Sequence, residues 1–227
     1  RTIIAFNIAL TMAYLHSINI IHGDLCTSNI TIDKNCKLKI MNFTNSHFFK
    51  EDSNITRNFD TISTFNSPEF SKCSNYNKSV DVFSFAGILY ELLMGRPPFD
   101  GLSKSEIKNK IENGERPELK CSKENKFDYL KDLIEKCWAK EPKDRPTFYE
   151  IIELMITKKI AFPVEDSEDN EIIEQFYSQK SIEFNNCMYS CIQQFKNSDE
   201  CFVFENISLR IKHLLQEYHF QMFNISI

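Results

Sequence analysis

Apolar residues recur with helical spacing at the start of the chain. The repeat is typical of a helix, and small alanines fill the positions beside the larger side chains, so the pattern predicts a helix over residues 2–17. A short extended segment, residues 18–21, then leads into a polar loop. The apolar positions that define the period are Ile4, Ile8, Met12 and Leu15.

A strand-like alternation of apolar and polar residues follows the polar loop. Residues 29–32 and residues 37–40 each alternate, and polar residues 33–35 separate them. Two short alternating segments joined in this way predict a small β-hairpin. Residues 44–66 are rich in Ser, Thr and Asn and show no sustained period, so we expect a long loop there, of a kind that is usually functional in a compact domain.

The most apolar segment of the chain begins at Asp81 and ends at Gly95. Its apolar side chains cover every face of a helix rather than one stripe. A helix of this kind must lie at the centre of a larger helical body. The segment therefore predicts a buried central helix.

Further helices are predicted around this central helix. A capping box that begins at Ser103 predicts a helix over residues 104–113, and a second capping box begins at Thr147. Helical spacing of apolar residues over 127–137 predicts another helix. The whole pattern predicts a mainly α fold, a helical bundle around a buried helix with one small hairpin.

The character of the chain changes after about residue 160. Residues 164–174 are strongly acidic, and helical spacing returns over residues 207–218. We therefore expect a domain over residues 1–160 and an acidic, then helical, tail of unknown role over residues 161–227. Three interpretations of the tail are open: helices that pack on the preceding domain, a partner-binding amphipathic segment, or disorder.

Composition and charge argue against several classes of partner. The 227 residues carry 27 Lys and Arg against 32 Asp and Glu, with no basic stripe, so we expect no nucleic-acid partner. No apolar run reaches the length of a membrane span, so we expect no membrane partner. The eight cysteines are scattered without a CxxC pair. This favours reduced thiols and a cytoplasmic location over disulfides or zinc.

The polar loop between the first helix and the hairpin carries the candidate chemistry. It reads His22-Gly-Asp24-Leu-Cys-Thr-Ser-Asn29 and so presents a carboxylate and a nearby amide. Phosphoryl transfer needs a carboxylate at the attacking hydroxyl, metal ions across the phosphates and positive charge on the transferred group. The loop resembles the catalytic loop of protein kinases, H-R-D-L-x-x-x-N.

Other motifs follow in the order of that family. Asn42-Phe-Thr stands where the family has D-F-G, Ser67-Pro-Glu stands where it has A-P-E, and residues 79–87 resemble its D-V-W-S-F-G. Cys137-Trp and Arg145-Pro complete the series. With residues 113–117, this pair resembles the tyrosine-kinase-like group of serine/threonine kinases.

The resemblance covers residues 1–160 and implies the carboxy-terminal lobe of a kinase domain. The family's glycine-rich G-x-G-x-x-G loop and its V-A-I-K lysine do not occur in the chain. We therefore expect the N-terminal lobe to be absent, and ATP to find only half of its site here.

The resemblance also implies roles for single residues. Asp24 and Asn29 match the catalytic carboxylate and its partner amide. Asn29 and Asn42 stand at the metal-binding positions, so the implied cofactors are ATP and Mg²⁺. No residue of this chain is assigned to binding the nucleotide itself.

A second set of matching residues is structural. Glu69 and Arg145 match the buried ion pair that fixes the activation segment. His22 and Phe43 match spine residues that stack above Asp81. These positions are all kept, which indicates a lobe that still folds.

Five positions depart from the family, and at three of them the family has a charged residue. Gly23 replaces the arginine that receives an activation-loop phosphate, and Cys26 replaces a lysine that neutralises the moving phosphoryl group. Asn42 replaces the metal-binding aspartate, and Mg²⁺ prefers carboxylates to neutral amides. Thr44 replaces the glycine that lets this loop swing. Counting back from Pro68, Ile62 falls where serine/threonine kinases carry a threonine.

These departures predict a pseudokinase-type scaffold or regulator of signalling that binds a protein partner. The alternative is a weakly active, ATP-dependent serine/threonine kinase that acts on a protein substrate when an upstream lobe is present. A third possibility is a truncated gene product with no stable fold. Asp24 is either the catalytic group or a hydrogen-bond acceptor that organises the loop.

Overall fold

The structure is a computed structural model, and its described residues form a mainly α lobe, as predicted. Six helices and two small two-stranded antiparallel sheets lie in the described ranges. None of the helices in these ranges is long and apolar enough to cross a membrane. The described residues are 1–33, 38–49, 63–70, 76–119, 127–163 and 167–195.

Helix α1 spans Thr2–Ser17, which confirms the helix predicted from its apolar period. Most of its side chains are buried in the main core, where it packs against the helix α5 described below. Asn19 then adopts a left-handed conformation, with φ of 60°, and turns the chain toward the polar loop.

Two short sheets flank this loop. Strand β2 (Ile30–Ile32) pairs antiparallel with β3 (Leu38–Ile40), which confirms the predicted hairpin. Strand β1 (Ile20–Ile21) pairs with β4 (His47–Phe48), a sheet that the sequence pattern did not predict. The loop expected over residues 44–66 therefore starts with ordered structure. Residues 50–62, including Ile62, lie outside the described residues.

Helix α2 spans Ser79–Met94 and is the predicted central helix. Every side chain from Val80 to Tyr90 is buried. The helix ends where Gly95 takes a left-handed conformation, with φ of 69°, and its N–H group bonds to the Glu91 carbonyl. Glycine suits this position because it has no Cβ to clash.

Three shorter helices follow α2 in the chain. They are α3 (Lys104–Glu112), α4 (Asp128–Cys137) and α5 (Phe148–Thr157). Both predicted capping boxes are present, at Ser103 before α3 and at Thr147 before α5. Each satisfies backbone N–H groups that a helix start otherwise leaves unpaired.

The last described helix, α6, spans Ser167–Phe195 and begins with acidic residues, which suit the positive end of a helix dipole. Its Phe176 and Tyr177 rings make edge-on contacts with Phe6 of α1, at centroid distances of 5.2 and 6.3 Å. Tyr177 is fully buried, and its hydroxyl donates to the Ile160 carbonyl. Residues 207–218 lie outside the described residues.

Candidate functional site

The hairpin sets the position of the candidate site. Asn29 directly precedes β2, and Asn42 follows β3 by two residues, so antiparallel pairing brings these two positions together. The Met41 N–H group extends the ladder by donating to the Asn29 carbonyl at 2.8 Å. Asp24 reaches the same place from the preceding loop.

The structure brings all three predicted site residues into one hydrogen-bonded cluster. The Asn29 side-chain amide donates to the Asp24 carbonyl at 2.7 Å and to its Oδ2 at 3.2 Å. The Asn42 amide nitrogen donates to Asp24 Oδ2 at 3.0 Å and to Asn29 Oδ1 at 3.2 Å. Every hydrogen bond that the described residues donate to the Asp24 carboxylate therefore ends on Oδ2.

Backbone and side-chain contacts together orient Asn42. Its backbone is left-handed, with φ of 64° and ψ of 63°, a conformation that asparagine tolerates better than most residues. The Thr44 hydroxyl donates to Asn42 Oδ1 at 2.9 Å. Because an ionised carboxylate only accepts hydrogen bonds, the amide nitrogen is the end of Asn42 that faces Asp24.

The contribution of Thr44 could not be found from the sequence. In the sequence, Thr44 was notable only because it replaces the glycine of the family motif. Its hydroxyl lies two residues after Asn42, which is a common spacing for a local side-chain hydrogen bond, but nothing in the pattern gave its direction.

The cluster does not fit Mg²⁺. Mg²⁺ requires oxygen ligands in near-octahedral geometry. Here the Oδ2 oxygen of Asp24 and the Oδ1 oxygen of Asn29 both accept from the same amide nitrogen, and the oxygen of that amide is held by Thr44. The part of the chain that is described contains no group of three or more His, Cys, Asp or Glu side chains suited to a metal ion.

A buried carboxylate, Asp81, holds the backbone of the polar loop in place. Asp81, at the start of α2, accepts backbone N–H bonds from His22 and Gly23, each at 2.9 Å, and lies 2.8 Å from the His16 ring nitrogen. Burial alone raises the pKa of Asp81. The bonds from His16, Gly23 and His22 outweigh burial, so the pKa lies below its ordinary value.

His22 links this support to the cluster. Its Nε2 lies 3.0 Å from the Met41 carbonyl, which can only accept, and its Nδ1 accepts the Asp24 N–H at 3.3 Å. These partners require Nε2 to donate and Nδ1 to accept. The ring also meets Phe43 edge-on at 5.0 Å, which is the stacking that the resemblance implied for this pair.

An ion pair anchors the described end of the activation segment. Arg145 forms a bidentate pair with Glu69, at 2.5 and 2.9 Å, and its side chain is completely buried. Its other N–H groups donate to the carbonyls of Ala139, Ser79 and Lys140. All five donors of the guanidinium are thus paired, as a buried arginine requires.

Arg116 is a second arginine of this region that sequence reasoning passed over. Its guanidinium lies 4.8 Å from the centre of the Phe83 ring, and that of Arg145 lies 5.0 Å from the same ring. Burial, followed by the charge of Arg145, lowers the pKa of Arg116 to about 10. Arg116 lies within residues 113–117, which in the sequence indicated only a resemblance to the tyrosine-kinase-like group and no role for this arginine.

The residues that depart from the family occupy distinct environments. Gly23 has φ of 71°, a conformation that favours glycine. Cys26 is 7% exposed, and its thiol lies 3.1 Å from the Ser28 hydroxyl. The neighbouring Thr27 donates to Glu91 of α2 at 2.9 Å. The side chain that replaces the lysine is therefore a buried cysteine, which brings no cationic group to the site.

Comparison with known proteins places this geometry in context. The family model for protein tyrosine and serine/threonine kinases matches residues 2–155. A probable serine/threonine-protein kinase of Dictyostelium discoideum is 38% identical over 160 residues, which is 70% of this chain and 17% of that protein. Serine/threonine-protein kinase 12 of Arabidopsis thaliana is 40% identical over 153 residues, 65% of this chain and 33% of that protein.

A third relative is a dual specificity protein kinase. The dual specificity protein kinase pyk3 of Dictyostelium discoideum is 36% identical over 172 residues, 74% of this chain and 12% of that protein. The chain thus spans between 12% and 33% of the length of these three relatives.

Proposed function

The chain belongs to the protein tyrosine and serine/threonine kinase family, and on that premise we propose that it is a pseudokinase-type module that binds a protein partner in cytoplasmic signalling. One observation carries the proposal. Asn42 stands where the family has its metal-binding aspartate, and its amide nitrogen donates into the site. Metal stabilisation of a transition state is worth several kcal/mol, so its loss lowers the rate by orders of magnitude.

The preserved framework supports a scaffold role. Asp81 still organises the loop, and Glu69 still pairs with Arg145. Removing one partner of a buried ion pair costs about 3–5 kcal/mol, so these contacts stabilise the fold whether or not catalysis occurs. A module that keeps the contacts that fold it, but not the charged groups that catalysis needs, is suited to offering a binding surface to a protein partner. We also propose that the module belongs to the tyrosine-kinase-like group, which its Cys137-Trp and Arg145-Pro motifs resemble.

One observation favours weak serine/threonine kinase activity as the second candidate. Asp24 and Asn29 keep the positions of the family's catalytic pair, and the amides bond to Oδ2. In this candidate, Oδ1 of Asp24 accepts the proton of a protein hydroxyl and Asn42 slows the reaction without abolishing it. ATP and Mg²⁺ would then be the cofactors, as in the family.

A phosphotransfer assay separates the two candidates. The full-length protein is incubated with radiolabelled ATP, Mg²⁺ and a general protein substrate, beside the matched variant Asp24→Asn. The scaffold proposal predicts equal, background incorporation by both proteins. Incorporation by the wild type that is ten or more times that of Asp24→Asn would overturn the proposal and establish the weak kinase.

A further inference from the structure

The Asn42 side chain uses all its polar groups within the cluster. Its nitrogen donates to Asp24 Oδ2 and to Asn29 Oδ1, and its oxygen accepts from Thr44. The two oxygens that meet at this nitrogen belong to the polar loop, at Asp24, and to the residue directly before β2, Asn29. The Asn29 amide nitrogen also donates to Asp24 Oδ2 at 3.2 Å, so the Asn42 nitrogen adds a second link between the same two residues.

We propose that the Asn42 amide takes the place of a bridging divalent cation, so that the site is assembled without metal and binds neither Mg²⁺ nor Mn²⁺. The inference deepens the proposed function, because it names a positioning role for Asn42 at the same site. It concerns how the site is held together, whereas the proposed function concerns what the site does.

The competing arrangement is an Asn42 amide turned over so that its oxygen faces a metal ion. That rotation places Oδ1 of Asn42 where the nitrogen now lies, about 3 Å from Asp24 Oδ2 and from Asn29 Oδ1, both of which only accept hydrogen bonds. The Thr44 hydroxyl would then accept from the Asn42 nitrogen instead of donating to its oxygen. Two acceptor oxygens at that separation repel unless a cation lies between them. The cation would gain only one carboxylate and two neutral oxygens, a poor set for Mg²⁺.

Thermal unfolding of the full chain with and without divalent cations tests the proposal. The proteins are the wild type, Asn42→Asp and Asn109→Asp, the last adding the same charge at an exposed position of α3. We expect no Mg²⁺-dependent change in Tm for the wild type or Asn109→Asp. Asn42→Asp places a carboxylate beside Asp24, so its Tm falls without metal. Mg²⁺ at about 100 times its Kd then raises that Tm by roughly 5–10 °C.

A second measurement uses the wild type alone and so does not depend on the folding of a variant. Mn²⁺ broadens nuclear magnetic resonances close to its binding site. We expect the side-chain amide signals of Asn29 and Asn42 to keep their width when Mn²⁺ is added. Selective broadening of these signals, or a saturable rise in the wild-type Tm, overturns the proposal.

A folded Asn42→Asp protein that is neither destabilised nor sensitive to Mg²⁺ overturns it as well, because the amide would then not be holding the two oxygens together. These outcomes are independent of the phosphotransfer assay. A wild type that binds Mn²⁺ yet transfers no phosphate contradicts the bridge and leaves the scaffold proposal standing. A wild type that transfers phosphate while its Asn29 and Asn42 amide signals keep their width contradicts the scaffold proposal and leaves the bridge standing.

Discussion

At the scale of single residues, burial and hydrogen bonding determine the pKa and the structural role of the charged side chains in this lobe. Asp81 is the clearest case, because a fully buried carboxylate holds the backbone of His22 and Gly23 in place. Its hydrogen bonds lower its pKa below the ordinary value of 3.8. A group with a lowered pKa in the folded state stabilises the protein above the unfolded-state pKa, and that contribution is lost as the pH falls through the folded-state pKa.

We therefore predict an acid-sensitive contribution from Asp81. The free energy of unfolding should decline as the pH falls below about 4, and Asp81→Asn should remove part of that decline. The variant should also be less stable at pH 7, by about 1–3 kcal/mol for each N–H group left unpaired. Urea unfolding between pH 2.5 and pH 7 measures both effects. Parallel curves for the two proteins would contradict the assignment.

Arg145 gives the second prediction at this scale. Lysine keeps the charge but not the planar fork that bonds to Glu69 and to three carbonyls, so Arg145→Lys should cost about 3–5 kcal/mol. Chemical denaturation measures the loss. Lys110→Ala is the control, because it breaks an exposed pair with Glu115 and should cost at most about 1 kcal/mol. Similar losses in both variants would show that the Arg145 contacts contribute little.

At the scale of elements, helix α2 and the activation segment approach closely at Gly87. A Cβ atom at this position would lie 2.6 Å from the Phe65 ring, and the Ser84 hydroxyl bonds to the Phe65 carbonyl at 2.9 Å. The glycine is needed for space, since it lies inside a helix. Gly87 could be recognised as part of a sequence motif, whereas its contact with Phe65 had no sequence signal.

Gly87→Ala should therefore destabilise the protein by about 1–3 kcal/mol, although alanine favours a helix by about 1 kcal/mol. Thermal or urea unfolding measures the change. In a Phe65→Ala background the same substitution should be neutral or stabilising, because the clash has gone. If Gly87→Ala has the same cost in both backgrounds, the close contact is not its cause.

Elements with local signals could be predicted from the sequence, and elements that depend on distant partners could not. The capping boxes at Ser103 and Thr147 gave the starts of α3 and α5 because each box is complete within four residues. Strands β1 and β4 have two residues each, too few for an alternation to be visible. Within the site, motif spacing predicted Asp24, Asn29 and Asn42. The direction of the Asn42 amide depends on the oxygens of Asp24 and Asn29 that its nitrogen meets, and no periodicity carries that information.

At the scale of the whole molecule, the end of the described chain covers its beginning. The Phe162 N–H group bonds to the Thr2 hydroxyl at 3.0 Å, and Tyr177 of α6 packs against Phe6 of α1. The expected boundary near residue 160 falls within this contact. We propose that residues 161–163 and 167–183 stabilise the lobe, and that the proposed partner surface lies elsewhere on the chain.

Tyr177 variants test this stabilisation. Tyr177→Ala should lower the free energy of unfolding by about 3–5 kcal/mol, because it empties a buried site. Tyr177→Phe should cost only about 1–3 kcal/mol, the loss of one buried hydrogen bond to Ile160. Ile182→Ala, at a side chain that is 60% exposed, is the control and should change stability by about 0.5 kcal/mol or less. Equal unfolding curves for Tyr177→Ala and the control would refute the role of α6.

The contact between α1 and α6 also has a consequence for synthesis of the chain on the ribosome. Phe6 is translated long before Tyr177, and at about 5–20 residues per second the interval is on the order of 10–30 s. During that interval the part of α1 around Phe6 lacks the cover that α6 provides. A nascent chain in this state exposes hydrophobic surface of the kind that chaperones bind. The order of translation therefore leaves Phe6 of α1 without its ring contacts to α6 until residue 177 has left the ribosome.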